Sequence, residues 1–225
     1  MNLLAYDFFA GCGGLSKGLE NAGVNVLWAN ESDEHAAQSY RASHPNTEII
    51  VDDANVLLHR FINGSRSLPK PGEVDLVVGG PPCQGFSGFN RNRRLDDPRN
   101  SLIETFLGFI TYLNPKYVLM ENVPGLLSLG NGSALNAILS ELKDLDFTTS
   151  LGILQAGHYG VPQNRWRVFI WGAKPGHNLP MFPAPTHEFP RKTVFGATSH
   201  REFIIKAPVN GDGSLHPLLP TVTKS

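Results

Sequence analysis

Short apolar runs alternate along most of the chain with stretches in which apolar side chains recur every three or four positions. The runs predict strands at 3–9, 24–31, 74–80, 116–123, 150–156 and 167–173, with one more before Asp52, and the helical spacing predicts helices at 15–22, 33–43, 100–113 and 133–145. This alternation predicts an α/β fold, an open and mostly parallel Rossmann-like sheet with helices on both faces. Ligands of such folds bind beyond the carboxyl ends of the strands, and the candidate motifs lie at those ends.

The composition and the hydrophobic periodicity of the sequence change near residue 175. Residues 1–175 carry the alternation and are predicted to form one folded domain. Residues 176–225 are rich in proline and show neither the helical nor the strand periodicity of apolar residues. They are therefore predicted to be an extended segment that leaves the domain.

Composition and charge narrow the class of protein. The chain has 225 residues, of which 41% are hydrophobic, enough for one large core. Its net charge of −1 divides into −6 over residues 1–150 and +5 over residues 151–225. The second part is the better candidate to face a polyanion, although an ordinary uneven surface explains the charge equally well. With no secretion signal, no membrane-length apolar run, two separate cysteines and no Cys–His cluster, the sequence predicts an intracellular protein without membrane, disulfide or metal.

A glycine-rich turn follows the first predicted strand. Gly11 and Gly13 lie in Phe-Ala-Gly-Cys-Gly-Gly, which is not the dinucleotide pattern G-x-G-x-x-G. Glu31, at the end of the second strand, could accept hydrogen bonds from ribose hydroxyls, and Asp53 could hold an adenine amine. These residues favour a nucleoside-like ligand, while a purely structural turn remains the alternative.

Cys83 lies in a polar, stiffened loop, Gly-Gly-Pro-Pro-Cys-Gln-Gly, after the strand at 74–80. Prolines and glycines at this spacing hold a side chain in fixed geometry, as a nucleophile requires. A thiolate also needs positive or hydrogen-bonding neighbours. The position outside an apolar run argues against an inert buried thiol.

Two further motifs offer partners for that sulfur. Glu121 ends an apolar strand, and Gln163, Arg165 and Arg167 alternate, so that in an extended segment they would share one face. A salt-bridging glutamate and a solvated arginine pair are the structural alternatives. The basic segment 89–100 could contact phosphates, or could be a solvated charge run.

Taken together, these motifs resemble the cytosine-5 DNA methyltransferase family, and the stretches LQAGHYGVPQNR and FPAPTH resemble its maintenance-type eukaryotic members. The resemblance covers roughly residues 3 to 190 and rests on DFFAGCGGLSKGLE, GGPPCQGFS, ENV and QNRWR in that order. It implies S-adenosylmethionine as methyl donor, S-adenosylhomocysteine as product and a DNA duplex as partner. The implied cofactor-binding residues are Phe9, Gly11, Gly13, Leu15, Glu31, Asp53, Ala54, Pro82 and Leu102. The implied catalytic residues are Cys83, Glu121, Arg165 and Arg167.

The resemblance also implies a mechanism. The Cys83 thiolate would add to C6 of a flipped-out cytosine, Glu121 would hold N3 and the exocyclic amine, Arg167 would hold O2, and Arg165 would support the loop. The domain 1–175 would then be the catalytic and cofactor-binding domain.

The same resemblance leaves other readings open. Family members usually continue into a target-recognition region, so 176–225 would lead toward that absent part, which a carboxyl-terminal half or a second subunit could supply. The alternatives are a tRNA-directed enzyme of the same fold, which CQGFS disfavours, and a non-catalytic cofactor-binding or regulatory subunit. A eukaryotic member would be nuclear and a bacterial one cytoplasmic.

Overall fold

A seven-stranded sheet forms the centre of the computed structural model, which describes residues 3–65, 68–83 and 101–187. The strand order is β3-β2-β1-β4-β5-β7-β6. The strands are β1 (Leu4–Phe8), β2 (Asn25–Glu31), β3 (Glu48–Val51), β4 (Leu76–Gly79), β5 (Tyr117–Asn122), β6 (Thr148–Gln155) and β7 (Trp166–Ala173). The first five strands pair in parallel, whereas β7 is antiparallel to both β5 and β6.

Helices cover both faces of the sheet, as the sequence pattern predicts. They are α1 (Gly14–Asn21), α2 (Glu34–Ser43), α3 (Ala54–Ile62), α4 (Leu102–Leu113) and α5 (Ser133–Asp144), with three short 3-10 turns after β5 and β6. Buried side chains of α3, α4 and α5 pack on one face, against Phe8 and Val118 among others. Those of α1 and α2 pack on the opposite face. Alternate strand residues therefore belong to different layers of the core.

Local sequence fixes where several helices begin. Ser101 and Glu104 form the predicted capping box of α4, which satisfies otherwise unpaired backbone N–H groups. Asp33 caps α2, and Asp53 caps α3 in the same way. Helix α3 is not among the predicted helices, although its buried side chains recur at helical spacing, at Ala54, Leu57, Leu58 and Phe61.

The proline-rich segment does not leave the domain at once. Residues 174–187 contain neither helix nor strand, as expected, but Phe182 is buried and its ring fills the space above Gly152 of β6. Tyr159 donates a hydrogen bond to the Pro183 carbonyl at 3.0 Å. Packing against the sheet thus continues beyond residue 175, at least as far as these contacts. The rest of the segment, 188–225, and the basic segment 89–100 lie outside the described residues.

Among the helices in the described ranges, none is both long and apolar enough to cross a membrane.

Candidate active site

Two adjoining cavities open at the edge of the sheet where β1, β2, β4 and β5 end. The smaller, about 210 Å³, is lined by Phe9, Asn30, Glu31, Ser32, Asp52, Asp53, Ala54, Gly80, Pro82 and Leu102. The larger, about 550 Å³, is lined by Asp7, Phe9, Ala10, Gly14, Leu15, Gly80, Glu121, Leu154, Ala156, Tyr159, Arg165, Arg167 and Phe169. Phe9 and Gly80 line both cavities. A ligand can therefore extend from one into the other past these two residues.

The glycine loop that separates β1 from α1 is shaped by unusual backbone angles. Phe9 has φ +58°, a left-handed conformation that costs a non-glycine residue roughly 1–3 kcal/mol. Gly11 and Gly13 also have positive φ, and neither lines a cavity. The two glycines thus bend the loop, while its flanking residues Phe9 and Leu15 face the cavities.

Glu31 holds this loop in place through backbone donors. Its Oε2 accepts a hydrogen bond from the Gly11 N–H at 2.8 Å. Its Oε1 accepts from the N–H groups of Ser32 at 2.8 Å and Asp33 at 2.9 Å. Neighbouring Asn30 donates to the carbonyls of Ile50 and Asp52, which ties the ends of β2 and β3 together. The carboxylate is therefore fixed at the cavity wall before any ligand arrives.

Asp53 has a structural role as well as a position in the smaller cavity. Its Oδ1 accepts from the N–H groups of Asn55 at 2.8 Å and Val56 at 3.3 Å, which caps α3. The wall beside it is apolar, formed by Ala54, Pro82 and Leu102. Three carboxylates, those of Glu31, Asp52 and Asp53, line this cavity together with the apolar wall. This combination matches the polarity of an adenosine, which has ribose hydroxyls, an exocyclic amine and a flat ring.

The larger cavity brings Glu121 together with both predicted arginines. Glu121 Oε1 lies 2.8 Å from Arg167 Nε and 3.6 Å from Arg165 Nη2. The 2.8 Å contact is an ion pair, but its N–H direction is not aligned for a hydrogen bond. The buried Arg167 Nε–H therefore has no hydrogen-bond partner among the described residues. A Cβ on Gly80 would lie 3.2 Å from Glu121 Oε2, so glycine leaves room for this carboxylate.

The arrangement of the QNRWR motif differs from the predicted one. Gln163 is exposed and precedes β7, and its N–H bonds the Val161 carbonyl at 2.7 Å in a turn. The motif lies at the beginning of its strand, not at a carboxyl end. It reaches the same edge because β7 runs antiparallel to β5, with Glu121 opposite Phe169.

Cys83 is half-buried and packs against the hydrophobic core. It lines neither cavity, although Gly80 and Pro82 of the same loop do. The loop is tethered at Pro81, whose carbonyl accepts a hydrogen bond from the Asn122 side chain at 2.8 Å. The segment that follows, residues 84–100, is outside the described part of the chain.

Sequence reasoning missed several residues that shape the site. Asn122 positions the cysteine loop, Tyr159 lines the larger cavity, and Asp7 lies at its floor. Asp7 is a charged residue in an otherwise apolar strand, and this feature of the sequence could have marked it as a candidate site residue. Burial raises the pKa of Asp7 to about 7, although a 2.6 Å hydrogen bond from the Ser16 hydroxyl favours its ionised form.

The chain is similar to known proteins over most of its length. The chain is 43% identical to DNA (cytosine-5)-methyltransferase 1 of Gallus gallus over 196 residues, which cover 83% of this chain and 13% of that protein. It is 39% identical to DNA (cytosine-5)-methyltransferase 2 of Arabidopsis thaliana, over 84% of this chain and 14% of that protein. The chain thus spans about one eighth of the length of these relatives.

Solved structures share the fold. An E. coli prophage-encoded protein described as a DNA modification methyltransferase superposes with a TM-score of 0.63 at 33% identity, covering 77% of this chain and 47% of that chain. A DNMT2 variant of Spodoptera frugiperda superposes with a TM-score of 0.60 over 78% of this chain and 51% of that chain, and its 24% identity supports the fold alone. The profile of the C-5 cytosine-specific DNA methylases matches residues 4–210. The chain therefore belongs to the C-5 cytosine-specific DNA methylase family.

Proposed function

We propose that this chain carries the catalytic centre of a cytosine-5 DNA methyltransferase, which methylates C5 of a flipped-out cytosine through a covalent bond between Cys83 and C6. The observation that carries the proposal is the pair of cavities that meet at Phe9 and Gly80. One has the polarity of an adenosine site, and the other places one carboxylate between two guanidiniums.

The smaller cavity would hold the adenosine of S-adenosylmethionine, which supplies an electrophilic methyl group. Glu31 would accept hydrogen bonds from the ribose and Asp53 from the adenine amine, with Leu102 and Pro82 against the ring. Phe9 and Leu15 line the larger cavity, which brings the donor end toward Glu121. Gly11 and Gly13 would act through the bend of the loop.

The larger cavity would hold the cytosine. Glu121 would face N3 and the exocyclic amine, and Arg167 would donate to O2. Arg167 Nε is buried against Glu121 at 2.8 Å, so the guanidinium would reach such an acceptor through a terminal N–H group. Arg165, farther from the carboxylate at 3.6 Å, would support Glu121 and contribute positive charge.

The chemistry needs the sulfur as an anion. The Cys83 thiolate would add to C6 while a proton carried by Glu121 passes to N3, so that the ring becomes an enamine with a nucleophilic electron pair at C5. C5 would take the methyl group as the sulfonium S–CH3 bond breaks, with the electron pair left on the sulfur of S-adenosylhomocysteine. The C5 proton would then leave to water, N3 would return its proton to Glu121, and the S–C6 bond would break to release the thiolate and restore the aromatic ring. Because C6 is inaccessible inside a duplex, the base must first be flipped out, at a cost of a few kcal/mol.

A mechanism-based trap tests the proposal. Fluorine at C5 blocks loss of the C5 substituent, so a working site remains bonded to DNA that contains 5-fluorocytosine. The chain is incubated with S-adenosylmethionine and the fluorinated duplex, alone and with the carboxyl-terminal half of a relative as a second polypeptide. Intact mass and peptide mapping should give an adduct at Cys83 in at least one arm.

The other outcomes discriminate among the alternatives. An adduct only when the second polypeptide is present indicates that target recognition is supplied from elsewhere. An adduct on fluorinated tRNA but not on DNA replaces the DNA assignment by the tRNA-directed one. Binding of S-adenosylmethionine without an adduct in any arm contradicts covalent catalysis and supports a regulatory, cofactor-binding role.

A further inference from the structure

A largely buried polar cluster lies beside the glycine loop and reaches the larger cavity at Asp7. It comprises Asp7 of β1, Ser16 and Glu20 of α1, and Tyr40 of α2 with the adjoining His44. The Ser16 hydroxyl lies 2.6 Å from Asp7 Oδ2 and 2.7 Å from the Tyr40 hydroxyl. His44 is only 2% exposed.

Both ring nitrogens of His44 face oxygen acceptors. Nδ1 lies 2.8 Å from Glu20 Oε1, and Nε2 lies 3.1 Å from the carbonyl oxygen of Gly13. A backbone carbonyl can only accept. The Glu20 carboxyl is ionised, since burial opposes its charge but the hydrogen bond from His44 outweighs burial and lowers its pKa. A neutral imidazole has one N–H and can satisfy only one of these two acceptors.

The doubly protonated ring satisfies both acceptors. The Tyr40 ring, with its centroid 4.4 Å from that of His44, adds a favourable contact for a cation. Other ionisable groups around the ring are Asp7, whose charge His44 favours, and Lys17, whose Nζ is 3.4 Å from Glu20. Acidic groups therefore face the imidazole from β1 and α1, and Lys17, a cation on the same helix, is paired with Glu20.

The contact with Gly13 links this ring to the cofactor loop. A Cβ at position 13 would lie 2.3 Å from His44 Nε2 and 2.9 Å from Tyr40 Cδ2, so only glycine lets the loop approach the ring. Gly13 is the N-cap of α1, and the next two residues, Gly14 and Leu15, line the larger cavity. If the ring lost the proton on Nε2, its lone pair would face the Gly13 carbonyl oxygen, and the loop would have to move.

We propose that His44 is a positioning residue for the cofactor loop, that it acts as an imidazolium bridging Glu20 and the Gly13 carbonyl, and that binding of S-adenosylmethionine is consequently coupled to a proton on His44. The coupling rests on the proposed cofactor site. The protonation of the ring does not, because it follows from contacts within the protein.

The first measurement needs no cofactor. Long-range ¹H–¹⁵N correlation spectra of the histidine rings, assigned by comparison with His44→Gln, should show two similar nitrogen shifts for His44 at neutral pH, as in an imidazolium. A neutral ring with two well-separated shifts overturns the proposal. In Glu20→Gln, the imidazolium signal should give way to the neutral ring at a lower pH than in the unchanged chain.

The second measurement is calorimetric affinity for S-adenosylmethionine across pH. Affinity should fall as the His44 ring loses its proton, with the midpoint given by the His44 nitrogen signals and not by the Asp7 carboxyl. His44→Gln should bind about three- to tenfold more weakly at low pH and lose that dependence. The matched control is His35→Gln, at an exposed position of α2, which should behave as the unchanged chain.

The two readouts separate the two proposals. An imidazolium with no cofactor binding at any pH refutes the cofactor site. An imidazolium with affinity that is the same in His44→Gln at every pH refutes the positioning role.

Discussion

The proposed cofactor side of the site, at the ends of β1, β2 and β3, holds its polar groups differently from the proposed base side, at the ends of β4 and β5 and the start of β7. On the cofactor side, the Glu31 carboxylate accepts three backbone N–H groups and Asp53 caps a helix. On the base side, Glu121 is held by two arginine side chains, and one arginine N–H has no partner among the described residues.

The carboxylates of the two sides are therefore held in place by different kinds of partner. Backbone donors fix the cofactor-side carboxylates, so that little has to be ordered on binding. The proposed base side holds its carboxylate with side-chain ion pairs, which an incoming acceptor would have to rearrange. Three substitutions test this division, in order of decreasing expected effect, and two more compare carboxyl groups whose pKa values are shifted in opposite directions.

Cys83→Ser should have the largest effect on the base side and none on the cofactor side. Replacing the thiolate by a hydroxyl removes the nucleophile, so methyl transfer should fall by at least about 10³-fold. Affinity for S-adenosylmethionine, measured by calorimetry, should be unchanged. Cys12→Ser, at the other cysteine of the chain, is the control and should still form the adduct with 5-fluorocytosine DNA.

Glu121→Gln should slow transfer by about 10²- to 10³-fold, because an amide cannot carry the proton that N3 has to receive as the thiolate adds to C6. Single-turnover rates measure this loss. Glu34→Gln removes an exposed carboxylate that pairs with Arg41 at 2.9 Å and should leave the rate unaltered. A comparable loss in cofactor affinity for Glu121→Gln would contradict the separation of the two sides.

Glu31→Gln should weaken cofactor binding about tenfold, because the amide nitrogen of glutamine cannot accept the hydrogen bonds that a carboxylate oxygen accepts. The rate at saturating cofactor should change little. Glu48→Gln, exposed at the start of β3 and away from the site, is the matched control. A fall in the saturated rate as large as the fall in affinity would show that the two sides are coupled.

Asp7→Asn should change the pH dependence of stability. Burial raises the pKa of Asp7 to about 7, so its contribution to the free energy of unfolding is fully present below the unfolded pKa and is lost as pH rises through the folded pKa. The unchanged chain should therefore lose roughly 1–2 kcal/mol between about pH 5.5 and 7, relative to Asp7→Asn. Urea unfolding at each pH measures this difference.

Asp75→Asn provides the opposite case. Burial opposes ionisation of Asp75, but the Leu4 N–H and the Lys116 ammonium, at 2.6 Å, outweigh burial and lower its pKa. Its contribution is present above the unfolded pKa and is lost only as pH falls through the folded one. The variant should be less stable than the unchanged chain by a constant amount between about pH 5.5 and 7. A slope like that of Asp7→Asn would refute the assignment.

Much of the cofactor side could be predicted because it is built from consecutive segments. Glu31 and Asp53 end successive strands, and parallel neighbours bring such ends to one edge. The structure confirms the predicted strands and helices and the capping box of α4. It also confirms the predicted architecture, a sheet with helices on both faces. The roles of the individual site residues remain predictions.

The base side was less predictable because its geometry depends on the direction of one strand. Residue spacing suggested that Arg165 and Arg167 could share a face, but not which residue they would meet. The ring of His44 beneath Gly13 was equally invisible, since 31 residues separate the two partners.

By itself, then, the sequence determined the order of strands and helices, the bend after β1 and the carboxylates that follow β2 and β3, because periodicity, capping and turn chemistry act between residues close in the chain. Only the tertiary structure decided that β7 runs against β5, and that the arginines at its beginning therefore meet Glu121 at the end of β5. It also decided that the His44 ring lies beside the loop, with Nε2 at 3.1 Å from the Gly13 carbonyl oxygen. The physical reason is that strand direction and helix docking are set by the packing of the whole core, to which each segment contributes only one surface.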